Sequence, residues 1–329
     1  MPSERPRRGL QRLVRALGGL PPVEDEKVSD GSRATVPFAP LELYGAVQSG
    51  EVDGAGVVTH QGAALRDFLD GRSLGIEIIE SDVGRLAFPA YDRFIRTHVR
   101  DHGHWERFES SVLRSIVHPG ELALNVGANV GYTTLLLARS VGPAGRVVAI
   151  EPSVENFRLL TYNLDMNGVR NVLPILAAAG ATTGVTRLSL SPDNSGDHRI
   201  ALNPFEVGSR PVPIVTLDDL LPDHAVPRVL ACDAQGADLE VLRGARRVIE
   251  RARPTILIEF WPTGIIGLGG DPMELDEHIA AADRSHVLVA DGLREVTSVA
   301  EILSALDEFG LDHASVLLGG AADTTASST

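Results

Sequence analysis

The chain has 329 residues, 43% hydrophobic and 22% charged, with 33 Gly and 20 Pro; this is globular composition, with room for one large or two moderate domains. Among its 30 basic residues only Lys27 is a lysine, which excludes a Walker phosphate loop, Schiff-base chemistry and the Tyr-x-x-x-Lys pair of short-chain dehydrogenases. The 44 acids bring the net charge to −14, a field that repels phosphate backbones and anionic lipid heads, so no nucleic-acid partner is expected.

Residues 1–70 are rich in Gly, Pro and acid and read as an α+β extension. Within it Arg5, Arg7, Arg8, Arg12 and Arg15 alternate with Leu10, Leu13 and Val14, which reads as a solvated tail before an amphipathic helix, and 63–69 forms a short helix. Residues 71–118 form a lead-in. There Ile76 and Ile78 alternate with acids, 86–88 gives a second strand, and the two pair antiparallel by proximity. Tyr91, Phe94, Ile95 and Val99, then Phe108, Val112, Leu113 and Ile116, fall at helical spacing, and His118-Pro119-Gly120 stops the second helix.

From 119 to 320 strands and helices alternate, which is how a mostly parallel sheet with helices on both faces is written in sequence. The expected strands are 122–126, 147–150, 172–176, 228–232, 255–259 and 286–289. The expected helices are 132–140, 154–166, 239–249, 273–282 and 299–309. The segment 185–215 breaks this rhythm and predicts a hairpin-like excursion at the sheet edge. Residues 321–329 are small and polar and predict a frayed tail. The lone Cys232 excludes an intrachain disulfide, and no apolar run approaches the roughly 20 residues that span a bilayer, so the expectation is a soluble, cytoplasmic protein, with homo-oligomerisation left open.

The sharpest local signal is Asn125-Val126-Gly127-Ala128-Asn129-Val130-Gly131-Tyr132-Thr133, at a strand end and helix start. Gly127 permits a turn without a Cβ, and Gly131 permits a ligand to approach the helix N-terminus. The Gly-x-x-x-Gly spacing lacks the middle glycine of a dinucleotide fingerprint, which counts against NAD. Glu151 follows the next strand, 20 residues after Gly131, where an α/β nucleotide fold grips the ribose hydroxyls; a Glu-Pro-Ser helix opening is the plainer reading of the same residues.

The glycine turn, Ala149-Ile150-Glu151-Pro152-Ser153 with Asn156 after it, Asn163-Leu164 with Asn167, Thr216-Leu217-Asp218-Asp219-Leu220 and Asp233-Ala234-Gln235-Gly236-Ala237-Asp238-Leu239 occur in that order. Together with the strand ending at Glu259, this set over about residues 85–262 resembles the FkbM-type S-adenosylmethionine-dependent methyltransferases. The resemblance implies a class I methyltransferase (Rossmann-like) α/β fold and S-adenosyl-L-methionine as cofactor. It also implies O-methylation of a sugar or polyketide-like natural product, a small hydroxylated acceptor. The donor would be held by Asn125, Gly127, Asn129, Gly131, Tyr132, Thr133, Glu151 and Asn156. Three positions depart from the family pattern: Asn125 replaces an aspartate, Ala231 a lysine and Gln235 a glutamate.

Methyl transfer to a hydroxyl needs in-line placement and removal of one proton, with no covalent enzyme nucleophile. Asp233, at a strand's carboxyl edge, is the first candidate for base or substrate anchor, though it also reads as a helix cap. Glu259, before Phe260-Trp261-Pro262, and His198, in the excursion, are further catalytic candidates, each with a plain surface reading beside it. Trp105-Glu106 either closes over the donor or merely opens a helix. No metal is expected: His98 and His102 lack the adjacent glutamate of a zincin, and Asp218 and Asp219 read as a capping box behind Thr216. The rival readings are a catalytically degenerate binding protein of the same fold and, on a different glycine spacing, a nicotinamide oxidoreductase.

Overall fold

The computed structural model describes residues 75–201, 206, 208–289 and 292–319. The basic N-terminal stretch, the helix expected at 63–69 and the tail 321–329 lie outside these residues. The lead-in follows its sequence: β1 (Ile76–Ser81) and β2 (Gly84–Pro89) pair antiparallel, then come α1 (Ile95–His102) and α2 (Arg107–Ile116).

The alternating elements come next. They are β3 (Leu122–Val126), α3 (Tyr132–Val141), β4 (Arg146–Glu151), α4 (Val154–Met166) and β5 (Val172–Leu176). After the excursion come β10 (Pro227–Cys232), α6 (Asp238–Arg243), α7 (Arg246–Ala252), β11 (Thr255–Phe260), α8 (Pro262–Gly267), α9 (Leu275–Ala281), β12 (Arg284–Val289), β13 (Gly292–Glu295), α10 (Val299–Phe309) and β14 (Ala314–Gly319). The central sheet has the order β13-β12-β14-β11-β10-β3-β4-β5. Its five strands from β11 to β5 run parallel, and β14 is antiparallel to both β11 and β12.

The near-continuous apolar runs are explained by burial on both faces. Leu124, Val126, Val148, Ile150, Leu230 and Cys232 point into one core, while Ala123, Val147, Ala149, Val229 and Ala231 point into the other. This is the period of two expected of a strand, applied to a sheet with two dry faces.

The sequence reading differs from the structure at three places. The helix expected over 239–249 is two helices, because at Gly244 the ladder is interrupted from outside: the Gly244 carbonyl accepts from Asp218 N at 2.9 Å instead of from Val248 N, and glycine is required there because a Cβ would lie 2.0 Å from the carbonyl oxygen of Gly180. The second of them is capped from outside, the Asp218 carboxylate accepting from Arg247 N at 3.0 Å and Val248 N at 2.9 Å. The helix expected over 273–282 begins as a 3₁₀ turn at Pro272–Glu274. Strands β13 and β14 and helix α8 were not anticipated at all. Thr216 does cap the short helix α5 (Leu217–Leu220), accepting from Asp219 N at 3.0 Å.

The excursion is a separate four-stranded sheet of order β6-β9-β7-β8, with β6 (Ala178–Ala179), β7 (Gly184–Ser189), β8 (Arg199–Ile200) and β9 (Arg210–Val215). Its β7 and β9 pair antiparallel, as the alternation predicts. The loop between β7 and β8 is pinned to the lead-in by Asp92, which is fully buried. One Asp92 oxygen accepts from Phe94 N at 2.9 Å and Arg96 N at 3.1 Å, capping α1. The other accepts from Ser195 N at 3.0 Å and from the Ser195 hydroxyl. Ser195 O in turn accepts from Asn156 Nδ2 at 2.8 Å, tying the loop to α4 as well.

Removing a carboxylate that satisfies four donors, two of them buried, leaves the buried pair without a partner. Asp92→Ala is therefore expected to cost on the order of 3 kcal/mol in urea unfolding, and Ser195→Ala, which keeps the backbone bond, about 1 kcal/mol.

Candidate functional site

The sheet order places a topological switch point between β3 and β10. From there the chain runs outward through β4 and β5, then returns to build β10 and β11 on the other side. The loops leaving β3 and β10 are joined, Asp233 N donating to Val126 O at 3.0 Å. Gly127 makes this approach possible: it has φ +78°, and a Cβ there would sit 1.8 Å from Asp233 O. A cavity of about 490 Å³ opens above this junction, roofed by the Ser195 loop and walled by residues from the lead-in.

One half of the cavity is lined by the loops that leave β3 and β4. Glu151, at the end of β4, is almost wholly buried, its Oε2 accepting from Asn129 N and its Oε1 from Ser153 N, both at 2.8 Å. Each oxygen retains a lone pair for a further donor. Burial pushes the Glu151 carboxyl up to about 7, against the pull of those two amides. Beside it, the buried side-chain oxygens of Asn129 and Asn156 have no hydrogen-bond partner among the described residues. Unpaired buried acceptors are costly, and these two belong to residues that line the cavity next to the Glu151 carboxylate, where a ligand rich in hydroxyl donors, such as a ribose diol, would offset that cost. Asn125, Gly127, Asn129, Tyr132, Thr133, Glu151 and Asn156 all line this space.

Two members of the predicted donor set behave differently from their sequence reading. Gly131 does not line the cavity; a Cβ there would meet Leu160 Cδ1 at 2.7 Å, so the close approach it permits is that of α4. Tyr132 turns its hydroxyl away to donate to Asp82 Oδ1 at 2.7 Å, bracing the lead-in. Asn125 donates from Nδ2 to Thr134 Oγ1 at 2.8 Å, which fixes the side chain that replaces the family's aspartate.

The other half is acidic. Asp233 and Glu259 face each other across the tips of β10 and β11, and Gln235 donates from its amide nitrogen to both, at 2.6 Å to Asp233 Oδ1 and 3.1 Å to Glu259 Oε2. Glu106 and Glu109 complete this wall from the lead-in, and His313 Nε2 stands 3.8 Å from Glu259 Oε1. Burial, then the neighbouring negative charges, raise the largely buried Glu259 carboxyl; Glu106 and Asp233 are pushed the same way but reach the open side of the cavity, where solvent weakens the push. Arg199 is the only arginine among the lining residues, lying 4.5 Å from the Trp261 ring centre and donating to Asp197 Oδ1 at 2.7 Å.

His198 lines the cavity from the excursion, but not as a base. Its Nδ1 accepts from Ser191 N at 3.1 Å, and burial lowers its pKa, so the neutral ring carries its proton on Nε2 and acts as a donor. The histidines of α1 pack on one another, His98 and His102 rings stacking at 4.3 Å. Among the described residues no group of three or more His, Cys, Asp or Glu side chains is placed to hold a metal ion.

Sequence reasoning missed His313, Gln235 as a ligand of both carboxyls, Ser195 and Arg199. The signal for His313 was present in Ala314-Ser315-Val316-Leu317-Leu318, whose alternate residues are buried and which places that histidine beside β11.

The raised acids have a thermodynamic consequence. Above pH 7 the unfolded chain has ionised its carboxyls while the folded chain holds a proton on Glu259, whose carboxyl burial raises, so stability falls as pH rises. The melting temperature of the ligand-free protein should drop between pH 7 and 9, and Glu259→Gln should flatten that slope in calorimetric scans.

Residues 125–306 match the family described as the methyltransferase FkbM domain, more than half of the chain. A protein-L-isoaspartate O-methyltransferase from Aeropyrum pernix is 41% identical over 63 residues, 19% of this chain and 24% of the relative, so the chain spans about a quarter of that relative's length. Among solved structures, methyltransferase FkbM from Methylobacillus flagellatus is similar at 18% identity and TM-score 0.38, over 60% of this chain and 43% of that one. An S-adenosylmethionine-dependent O-methyltransferase from Thermotoga maritima is similar at 15% identity and TM-score 0.36, over 74% and 78%. Among the described residues no helix is long and apolar enough to cross a membrane. The chain belongs to the FkbM methyltransferases, a family dependent on S-adenosylmethionine and built on the class I, Rossmann-like fold.

Proposed function

We propose that this protein is an O-methyltransferase that methylates a hydroxyl of a small acceptor, a sugar or polyketide-like natural product. The observation that carries this reading is a single continuous cavity with a buried carboxylate and two unpaired amide oxygens at one end and a pair of carboxyls at the other. Its volume lies within the usual range for small-molecule sites.

S-adenosylmethionine, when bound, supplies an electrophilic methyl group on a sulfonium. Glu151, Asn129 and Asn156 would hold its nucleoside, and the ionised Glu151 carboxylate accepts from a ribose diol. Asp233 stands at the carboxyl edge of β10, where it accepts the proton of the acceptor hydroxyl as the oxygen becomes nucleophilic. His198, a donor through Nε2, orients an oxygen of the acceptor. Trp105 and Trp261 both line the cavity and give the acceptor an apolar surface to pack against. This places the protein among enzymes whose rate comes from alignment and a single proton transfer rather than from covalent catalysis.

A binding-only role is favoured by one observation: no lysine lines the cavity, and its arginine is occupied by Asp197 and Trp261. Methyl transfer from labelled donor to a panel of hydroxylated sugars and polyketides separates the two readings.

The donor half gives a sharper test. With the Glu151 carboxyl near 7, ribose binding to its ionised form must release a proton, so affinity rises with pH through that value. Calorimetry with S-adenosylhomocysteine is expected to give a Kd on the order of micromolar at pH 8, roughly tenfold weaker at pH 6. Glu151→Ala should weaken binding at least about tenfold, and Glu151→Gln should remove the pH dependence.

A further inference from the structure

The turn that follows β10 is held with unusual rigidity. Gln235 has φ +51°, a left-handed conformation that a glutamine side chain seldom adopts. The turn is locked from below by Asp238, whose carboxylate accepts from Ala234 N at 3.0 Å and from Gly236 N at 3.1 Å. It is locked from the side by Gly236, where a Cβ would lie 2.8 Å from the backbone of Gly264. The result aims the Gln235 side chain across the cavity wall.

Its amide nitrogen has two hydrogens, and each has a carboxyl acceptor: Asp233 on the tip of β10 and Glu259 on the neighbouring β11. The two acceptor oxygens are thereby held no farther apart than the sum of two hydrogen bonds. Two carboxylates held that close repel each other, which disfavours ionising both at once. A glutamate at 235, the residue usual at this position in relatives, would add a third acceptor and no donor. An amide supplies two donors and no charge.

We propose that Gln235 is a positioning residue whose amide clamps Asp233 and Glu259 into a carboxyl pair holding one proton between them, so that the pair presents a single negative charge to the acceptor hydroxyl. This deepens the methyltransferase reading of the same site and rests on it for the role of Asp233. Burial and the mutual repulsion of the pair raise Glu259, consistent with its being the protonated member. The other titratable groups facing the pair are Glu106 from the lead-in, Cys232 on β10, Asp238 on α6 and His313 ahead of β14.

The test is infrared difference spectroscopy of the full chain against pH, following the carbonyl stretch of neutral carboxyl groups. In the wild type a neutral carboxyl is expected to persist at pH 7.5 and to be lost in Glu259→Gln. Gln235→Met, which removes both donors at similar length, should raise the midpoint of the pair's ionised member by about one pH unit or more. A purely structural role for Gln235 would alter melting temperature without moving that midpoint, and an unmoved midpoint overturns the proposal. If Gln235→Met does not fold, Asp233→Asn serves instead: with its partner neutral, Glu259 should titrate at lower pH than in the wild type, and an unchanged midpoint again overturns the clamp. S-adenosylhomocysteine calorimetry on the same samples tests the methyltransferase reading separately. Absent binding beside a normal paired titration would sink the function and not the pair.

Discussion

The arrangement of the site depends on how closely the tips of β3 and β10 come together. Gly127 meets the backbone of Asp233 at a distance that no side chain survives, and the Asp233 amide continues the ladder onto Val126. Because the two strands stay joined to their last residues, the loops beyond them diverge only above the sheet. One loop turns toward β4 and Glu151, the other toward β11 and Glu259. The separation of the half around Glu151 from the acidic half is a consequence of this junction and of the strand order around it. A bulkier residue at 127 would part the strands and merge the two halves into an open cleft.

The roof is set by a second constraint that runs through side chains. Asp92 holds both the start of α1 and the Ser195 loop, and Ser195 passes the connection to Asn156 on α4. Asn156 therefore does two things at once: its nitrogen anchors the roof, and the residue lines the cavity with its buried oxygen unpaired among the described residues. Closure of the roof and readiness of the half around Glu151 are coupled through one amide, so neither can relax without disturbing the other. The same economy appears at Glu151, whose backbone partners Asn129 and Ser153 belong to the two loops that bound the donor half.

What the sequence made legible follows from where local signals suffice. The strands of the parallel half and the helix Val154–Met166 are read correctly because burial on both faces and helical periodicity are written within each segment. Gly127 and Glu151 are found because a turn and a strand-end acid recur in a fixed order. The failures are of contact. Nothing near Gly131 in sequence reveals Leu160, nothing in 239–249 reveals Asp218, which takes over the hydrogen bonds where the helix breaks, and the bond that occupies His198 Nδ1 comes from the backbone of Ser191. Strand β14 was overlooked because it closes the sheet antiparallel after the alternation of strands and helices has ended, although its own residues alternate plainly.

The departures at Ala231 and Gln235 are best understood together. A lysine on β10 would place a fixed positive charge beside Asp233 and keep both neighbouring carboxyls ionised. With a methyl group there, the acidic wall has no internal cation: Arg199 is spent on Asp197 and the face of Trp261, and His313 reaches Glu259 only at 3.8 Å. Seven carboxyl side chains line a cavity with one arginine, so the charge must be met by protons or by what binds. A glutamate at 235 would have worsened this imbalance; an amide eases it without adding charge. Losing the cation and losing the third carboxyl are thus compensating changes, and their joint effect is to make the charge of the acceptor half depend on proton occupancy rather than on a fixed ion pair.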